Sequence, residues 1–322
     1  MFMYIIKRLF YMALAFLLVS IVTFGLMKAA PGTFLINTQM LGGVQAATDL
    51  NIPPQLMNSF IKEFHLNSPW YVQYWFYLKG FVTLHFGYSI EYPSLPTMSL
   101  IKRTFPLTLG LAFSATVVGT IVSIVLGVIA AVKEHTWVDS TTMFIATLGT
   151  AIPSYVTAIV LMLVFGVWWR ILPILGFQGI QHYILPVAAL VIPVVGSMSR
   201  YMRNSLIESL HSDYIVSVYA KGGGMRQAVF GHALRNSLLP LITVVGPQLA
   251  GLLMGTVIIE NLFGLPGMGQ VFANAAQQKD YPLIMVSTLL YAVVIMVMNL
   301  LVDLTYGGLD PRIRKIGYVQ GR

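Results

Sequence analysis

Six runs of apolar residues, separated by shorter polar stretches, set the pattern of the chain: roughly Leu9 to Met27, Leu107 to Val132, Ser140 to Trp168, Ile184 to Ser199, Ser237 to Ile259 and Pro282 to Val302. With bounds good to a few residues, each is long enough as a helix, at 1.5 Å per residue, to cross a hydrocarbon layer about 30 Å thick. None carries a charged residue within these bounds. The pattern predicts an all-α polytopic membrane protein with six transmembrane helices. Lys7 and Arg8 ahead of the first run and small residues after it have the outline of a signal peptide, but the length of the run and the five later spans favour an uncleaved anchor.

Composition agrees with this setting. Hydrophobic residues make up 57% of the 322 positions and charged residues 9%, a ratio that would leave a soluble domain covered in apolar patches. The formal net charge of +8 fits cytoplasmic loops facing anionic lipid better than nucleic acid. The absence of cysteine removes disulfides, thiolate metal sites and cysteine nucleophiles together. The histidines at 65, 85, 135, 182, 211 and 232 are too dispersed to suggest a metal site.

Basic residues near the span ends set the expected orientation. Lys7 and Arg8 place the amino terminus inside. Lys133 marks a second inner loop, Arg200, Arg203, Lys221, Arg226 and Arg235 a third, and Arg312, Arg314, Lys315 and Arg322 the carboxyl tail. Two inner termini require an even number of spans, so the aromatic stretch Trp70 to Leu84, interrupted by Lys79, reads as a helix in the outer interface. Lys102 and Arg103, outside in this scheme, run against the trend.

The expected organisation is an amino-terminal helix over 1–30, an outer loop or cap over 31–106 and a core of five spans over 107–322. The cap opens with Pro31, Gly32, Gly42, Gly43, Pro53 and Pro54, which is loop chemistry. Pro153, Pro186, Pro193, Pro240 and Pro247 fall inside spans, where each removes a backbone donor and favours bending.

The segment DYIVSVYAKGGGMRQAVFGHALRNSLLP, from Asp213 to Pro240, is polar and charged between two apolar spans. Ser212 is the expected N-cap of a short helix with Asp213 in its first turn; Gly222, Gly223 and Gly224 stop that helix, and Met225 to Asn236 begins a second. Spacing alone leaves open a docking projection or an amphipathic linker on the membrane surface. A DNA-reading helix-turn-helix is disfavoured because both flanks enter the bilayer within a few residues.

These residues resemble the loop by which membrane subunits of bacterial ABC importers dock on their ATPase subunits, in the form found in dipeptide and oligopeptide permeases. The matching positions are Asp213-Tyr214, Ala220-Lys221-Gly222, His232, Arg235-Asn236 and Pro240. Arg200, Arg203, Ser205 and Glu208, the string ENLFGLPGMGQ from Glu260 to Gln270, Asp280-Tyr281-Pro282, and Asn299, Asp303, Tyr306 and Asp310 to Arg314 resemble the B-type permease subunit of that family. So do Phe86 to Ser89 and Arg103 to Leu109. The chain departs from the wider pattern at Val216-Ser217-Val218, where Glu-Ala-Ala is usual, and at Tyr219, where the peptide branch usually has arginine.

The resemblance implies a type I importer permease in the bacterial plasma membrane. Its implied partners are a homologous second permease subunit, two ATP-binding subunits and an extracytoplasmic substrate-binding protein, within membrane lipid and without nucleic acid. A coupling loop at about 204–236 would carry Asp213, Tyr214, Ala220, Lys221, Gly222, Gly223, Arg226, His232, Arg235 and Asn236. An outer loop at about 260–282, with Glu260, Phe263, Pro266, Gly267, Gly269 and Asp280, is either a contact for substrate or binding protein or a re-entrant structural plug. Peptide is the implied cargo; nickel chelates and glutathione-like solutes travel through related subunits.

The chain has no GxxxxGK[ST] phosphate loop, so ATP and magnesium are expected in the partner subunits and no cofactor, metal or catalytic residue in this one. An ion-coupled secondary transporter would place ionisable groups inside its spans, and an intramembrane enzyme a nucleophile beside a base; neither pattern is present.

Overall fold

The structure is a computed structural model that describes residues 2–29, 62, 65, 67–89, 92, 95–278 and 280–309. The glycines and prolines between 31 and 54, and the tail motif from Asp310 to Arg314, lie outside these residues. The described residues are helical apart from connecting loops and one isolated bridge between Tyr88 and Pro96. The helices are α1 (Phe2–Ala29), α2 (Trp70–Thr83), α3 (Thr97–Val132), α4 (Trp137–Ala151), α5 (Ser154–Leu161), α6 (Gln181–Leu210), α7 (Asp213–Ala220), α8 (Leu234–Phe263), α9 (Met268–Gln278) and α10 (Tyr281–Leu309).

Five helical stretches are long and apolar enough to cross a membrane, and α4 with α5 and its continuation to Trp168 makes a sixth if taken as one bent span. The bend is 102°. The apolar pattern predicts a third span over Ser140 to Trp168 in which Pro153 favours bending, and the structure breaks the helix there. Ile152, ahead of Pro153, is extended at φ −87 and ψ 123, the conformation favoured for a residue preceding proline. Pro153 then opens α5, where its missing amide costs nothing, and a π-helical turn over Met162–Trp168 carries the helix on. Pro186 and Pro193 in α6 and Pro240 and Pro247 in α8 sit instead inside continuous helix.

The chain divides into two compact units, one drawn from residues 1–107 and 266–294, the other from 108–265 and 295–322. In the first, Phe24 and Met27 of α1 bury against Met285 and Leu289 of α10, and Tyr74, Tyr77 and Phe81 of α2 close over them. The Ser20 and Tyr74 hydroxyls meet at 2.8 Å, satisfying a fully buried serine inside an apolar helix. The aromatic helix expected over 70–84 therefore exists and uses one face as core, leaving Trp70, Tyr71 and Trp75 exposed.

In the second unit α6 is the central element, packed against α4, α5 and α8. Gly196 lets α4 approach closely, because a β-carbon there would strike the Ala146 carbonyl oxygen. Met198, Met202 and Leu206 form the fully buried stripe of α6 at helical spacing.

Candidate functional site: the 204–236 loop and its anchors

The tip of the loop is built by backbone hydrogen bonds. Ser212 adopts the extended N-cap conformation, φ −80 and ψ 152, but makes no side-chain cap bond to α7. Its hydroxyl donates back to the carbonyls of Glu208 (3.1 Å) and Ser209 (2.8 Å), finishing α6 instead. Asp213 stands in the first turn of α7, where its charge complements the helix dipole. Ile215 and Val218 bury the inner face of α7, while Val216 is 62% exposed on the outer one.

α7 stops in a Schellman motif. The Gly223 amide donates to Val218 O at 3.0 Å and the Gly222 amide to Tyr219 O at 2.9 Å, with Gly222 at φ +82. A residue with a β-carbon is strained at that angle, although a β-carbon at Gly222 would meet no atom within 4 Å. The turn is thus held by backbone angle and open on its outer side.

The sequence predicts a second short helix over Met225 to Asn236. The structure runs this segment straight into a span instead: a π-helical turn over Gln227–Ala233 passes without a break into α8. One continuous helix from Gln227 to Phe263 results. The stems of the loop are stitched together, Ser205 and Ser237 each donating to the other's carbonyl at 3.2 Å and Ser209 donating to Ala233 O at 3.2 Å. The Tyr214 hydroxyl bonds to Ser209.

Of the loop residues named from the sequence, Asp213, Tyr214, Ala220, Lys221, Gly222, Arg226, His232, Arg235 and Asn236 are exposed, and Gly223 is half-buried. A groove of about 270 Å³ runs between α7 and the π-helical turn, lined by Tyr214, Ser217, Lys221, Gln227 and His232 among others. Exposed Met225 and Phe230 add apolar surface to this basic tip. No cluster among the described residues could hold a metal ion.

The sequence did not reveal the loop's anchor on α4. Arg203 of α6 donates from Nε to Oδ1 and from Nη2 to Oδ2 of Asp139, both at 2.6 Å, and the His135 amide adds a third bond to Oδ2 at 3.2 Å. Arg200 reaches Thr150 Oγ1 at 3.3 Å, one residue before the end of α4. A lone acidic residue at the mouth of an apolar span was the available signal.

Most of the 260–282 candidates are buried within the chain. Glu260 and Phe263 lie inside α8 and are buried, with the Thr108 hydroxyl donating to Glu260 Oε1 at 2.7 Å. Gly267, Gly269 and Asp280 are also buried, and of the six only Pro266 is exposed. Asp280 caps α10 by accepting the Leu283 amide at 3.1 Å and the Ser89 hydroxyl at 2.6 Å. Its negative charge, together with burial, pushes the Tyr77 phenol well above its usual range, burial being the larger cause.

Residues 123–315 match the family model described as the binding-protein-dependent transport system inner membrane component. The chain is 38% identical over 311 residues to the dipeptide transport system permease protein DppB of Bacillus subtilis, covering 97% of each. The chain belongs to this permease family. It is also 36% identical over 297 residues to the oligopeptide transport system permease protein OppB of Haemophilus influenzae, covering 90% of this chain and 97% of that one. Solved permeases share the fold: a methionine ABC transporter, MetNI, in inward-facing form aligns with a TM-score of 0.53 at 19% identity, over 67% of this chain and 97% of that one. An amino acid ABC transporter aligns with the same TM-score at 13% identity, over 66% and 94%. The chain is therefore a multi-pass inner-membrane component of a binding-protein-dependent transport system.

Proposed function

We propose that this chain is the membrane-spanning subunit of an ATP-driven importer for short peptides, pairing with a homologous permease and fed by an external binding protein. The observation that carries the mechanical part is the 213–224 tip: an exposed helix and left-handed turn whose two stems continue as α6 and α8. A force applied there by an ATP-hydrolysing partner reaches α8 through continuous helix from Gln227 and α6 across the two-residue turn at His211 and Ser212. The peptide part rests on the likeness to DppB and OppB over most of the chain.

In this reading ATP and magnesium belong to two partner subunits that grip the exposed tip, and this chain performs no catalysis. The tip and both termini face the cytoplasm, as the basic residues suggest. A nucleotide shifts the transporter's equilibrium only through contacts that differ between its states, and α7 with its turn is where this subunit makes them. The complex in proteoliposomes should take up a tripeptide when ATP and the loaded binding protein are present, and Ala220→Cys should crosslink to an ATPase subunit. Uptake without ATP, or absence of that crosslink under several reagents of different length, would count against the reading.

A further inference from the structure

One face of α6 has the wrong chemistry for lipid. Ser197, Arg200, Tyr201, Asn204 and Glu208 recur at helical spacing down the carboxyl-terminal part of α6, from the end of its apolar run toward α7, and together they line a groove of about 490 Å³. The opposite face of the same helix is the buried Met198, Met202 and Leu206 stripe. Neither Arg200 nor Glu208 forms an ion pair among the described residues. The single hydrogen bond from the Arg200 side chain goes to Thr150, and it leaves most of the guanidinium's five donors available. Arg200 and Glu208 stand just beyond the apolar run that ends at Ser199, and a guanidinium and a carboxylate there face water or a polar partner.

The two charges are eight residues apart, which is about 12 Å along a helix axis. An extended peptide of three or four residues spans that distance at about 3.3–3.6 Å each, with one charge at either end. Building on the peptide reading above, we propose that this face of α6 is a water-lined subsite for the departing peptide, Arg200 receiving the α-carboxylate and Glu208, nearer α7, the α-ammonium. The peptide then leaves with its amino end first. Tyr201, 53% exposed between the two charges, offers a ring to the peptide's side chains, and the Asn204 amide offers its backbone a partner.

Single cysteines introduced into this cysteine-free chain test the proposal in the assembled complex in lipid. A thiol in water ionises and reacts with hydrophilic thiosulfonates, whereas one in lipid or under protein does not. Ser197→Cys and Asn204→Cys should be labelled from the loop side. At Ser197→Cys, one turn from Arg200, an anionic reagent should react about tenfold faster than a cationic one, as a unit charge about 6 Å away in water implies. Adding Arg200→Gln should remove that preference.

High concentrations of trialanine should slow labelling of Ser197→Cys several-fold. Trialanine amide should protect far less, and the difference between the two should vanish with Arg200→Gln. Failure of both cysteines to react would mean that lipid or a partner covers this face, and would overturn the proposal. Equal protection by peptide and amide would overturn it too. If the wild-type complex imports trialanine while labelling is indifferent to peptide, the subsite is wrong and the peptide reading stands. If the complex with its binding protein imports no peptide at all, that reading fails and the subsite with it.

Discussion

Arg203 holds both carboxylate oxygens of Asp139 at 2.6 Å, joining residues 64 positions apart and fixing the start of α4 to α6 about two turns before α6 ends. The Asp139 side chain is 6% exposed and the Arg203 side chain 21%, so the pair sits largely out of water. A bidentate pair of this kind fixes orientation as well as distance. Since only the short turn at His211 and Ser212 separates α6 from α7, a displacement of α7 that moves α6 carries α4 with it.

Asp139→Asn should leave the guanidinium without its counter-charge and lower stability by about 1–3 kcal/mol, the usual cost of stranding a buried partner when some water remains. The unfolding midpoint of the complex in nanodiscs reads this. The exchange Asp139→Arg with Arg203→Asp should recover part of the loss; a double variant no better than the worse single one would show that the pair itself contributes little.

Helix positions were legible because lipid demands long apolar runs, and the turn after α7 because three glycines interrupt one of the few polar segments. Which of the in-span prolines would break its helix was not. Pro153 breaks its helix, whereas Pro186, Pro193, Pro240 and Pro247 stay within theirs, so residue type alone does not separate the two outcomes. Met225 to Asn236 is polar enough to read as a short helix separate from the span, yet Ala228, Val229 and Ala233 bury one face and it runs unbroken into α8. Glu260 looked like loop chemistry because a charge seldom belongs to a span; the Thr108 hydroxyl is one of the contacts that let it be buried. Long-range pairs of this sort, Asp139 with Arg203 among them, show locally a charge beside an apolar span but not its partner.

Topology is checked with single cysteines at Gly224 and Gly43. Gly224 suits the tip better than Gly223, because a β-carbon at Gly223 would lie 2.7 Å from Val218 Cγ1 while Gly224 is open. An impermeant thiol reagent should reach Gly43→Cys from the outside of intact cells and Gly224→Cys only after the inner face is exposed. Labelling of both from one side would contradict six spans with inner termini.

Gly196→Leu should disrupt the approach of α4 to α6, since its side chain would occupy the space of the Ala146 carbonyl and the Thr150 side chain. The expected cost is about 1–3 kcal/mol, typical of overpacking, seen as a lowered unfolding midpoint and reduced yield of assembled complex. Unchanged stability would mean that the two helices pack more loosely than the glycine contact implies.

Nucleotide handling separates this subunit from its partners. The purified chain should neither retain ATP in equilibrium dialysis nor hydrolyse it, while the assembled complex should hydrolyse ATP faster with loaded binding protein. Specific ATP binding by the chain alone would contradict the division of labour.

The central claim is that the turn at Gly222 transmits force rather than merely linking two spans, and Gly222→Val measures it most directly. The substitution meets open space but forces a β-branched residue to φ +82, a strain of about 1–2 kcal/mol confined to the exposed tip. Gly222→Asn, which tolerates that angle better, serves as its control. Peptide uptake and ATP hydrolysis are measured together in proteoliposomes containing the whole complex. The account predicts that Gly222→Val inserts and assembles normally yet loses most uptake per ATP hydrolysed, with Gly222→Asn in between. Full uptake with normal ATPase stimulation in Gly222→Val would show that the tip is a passive linker.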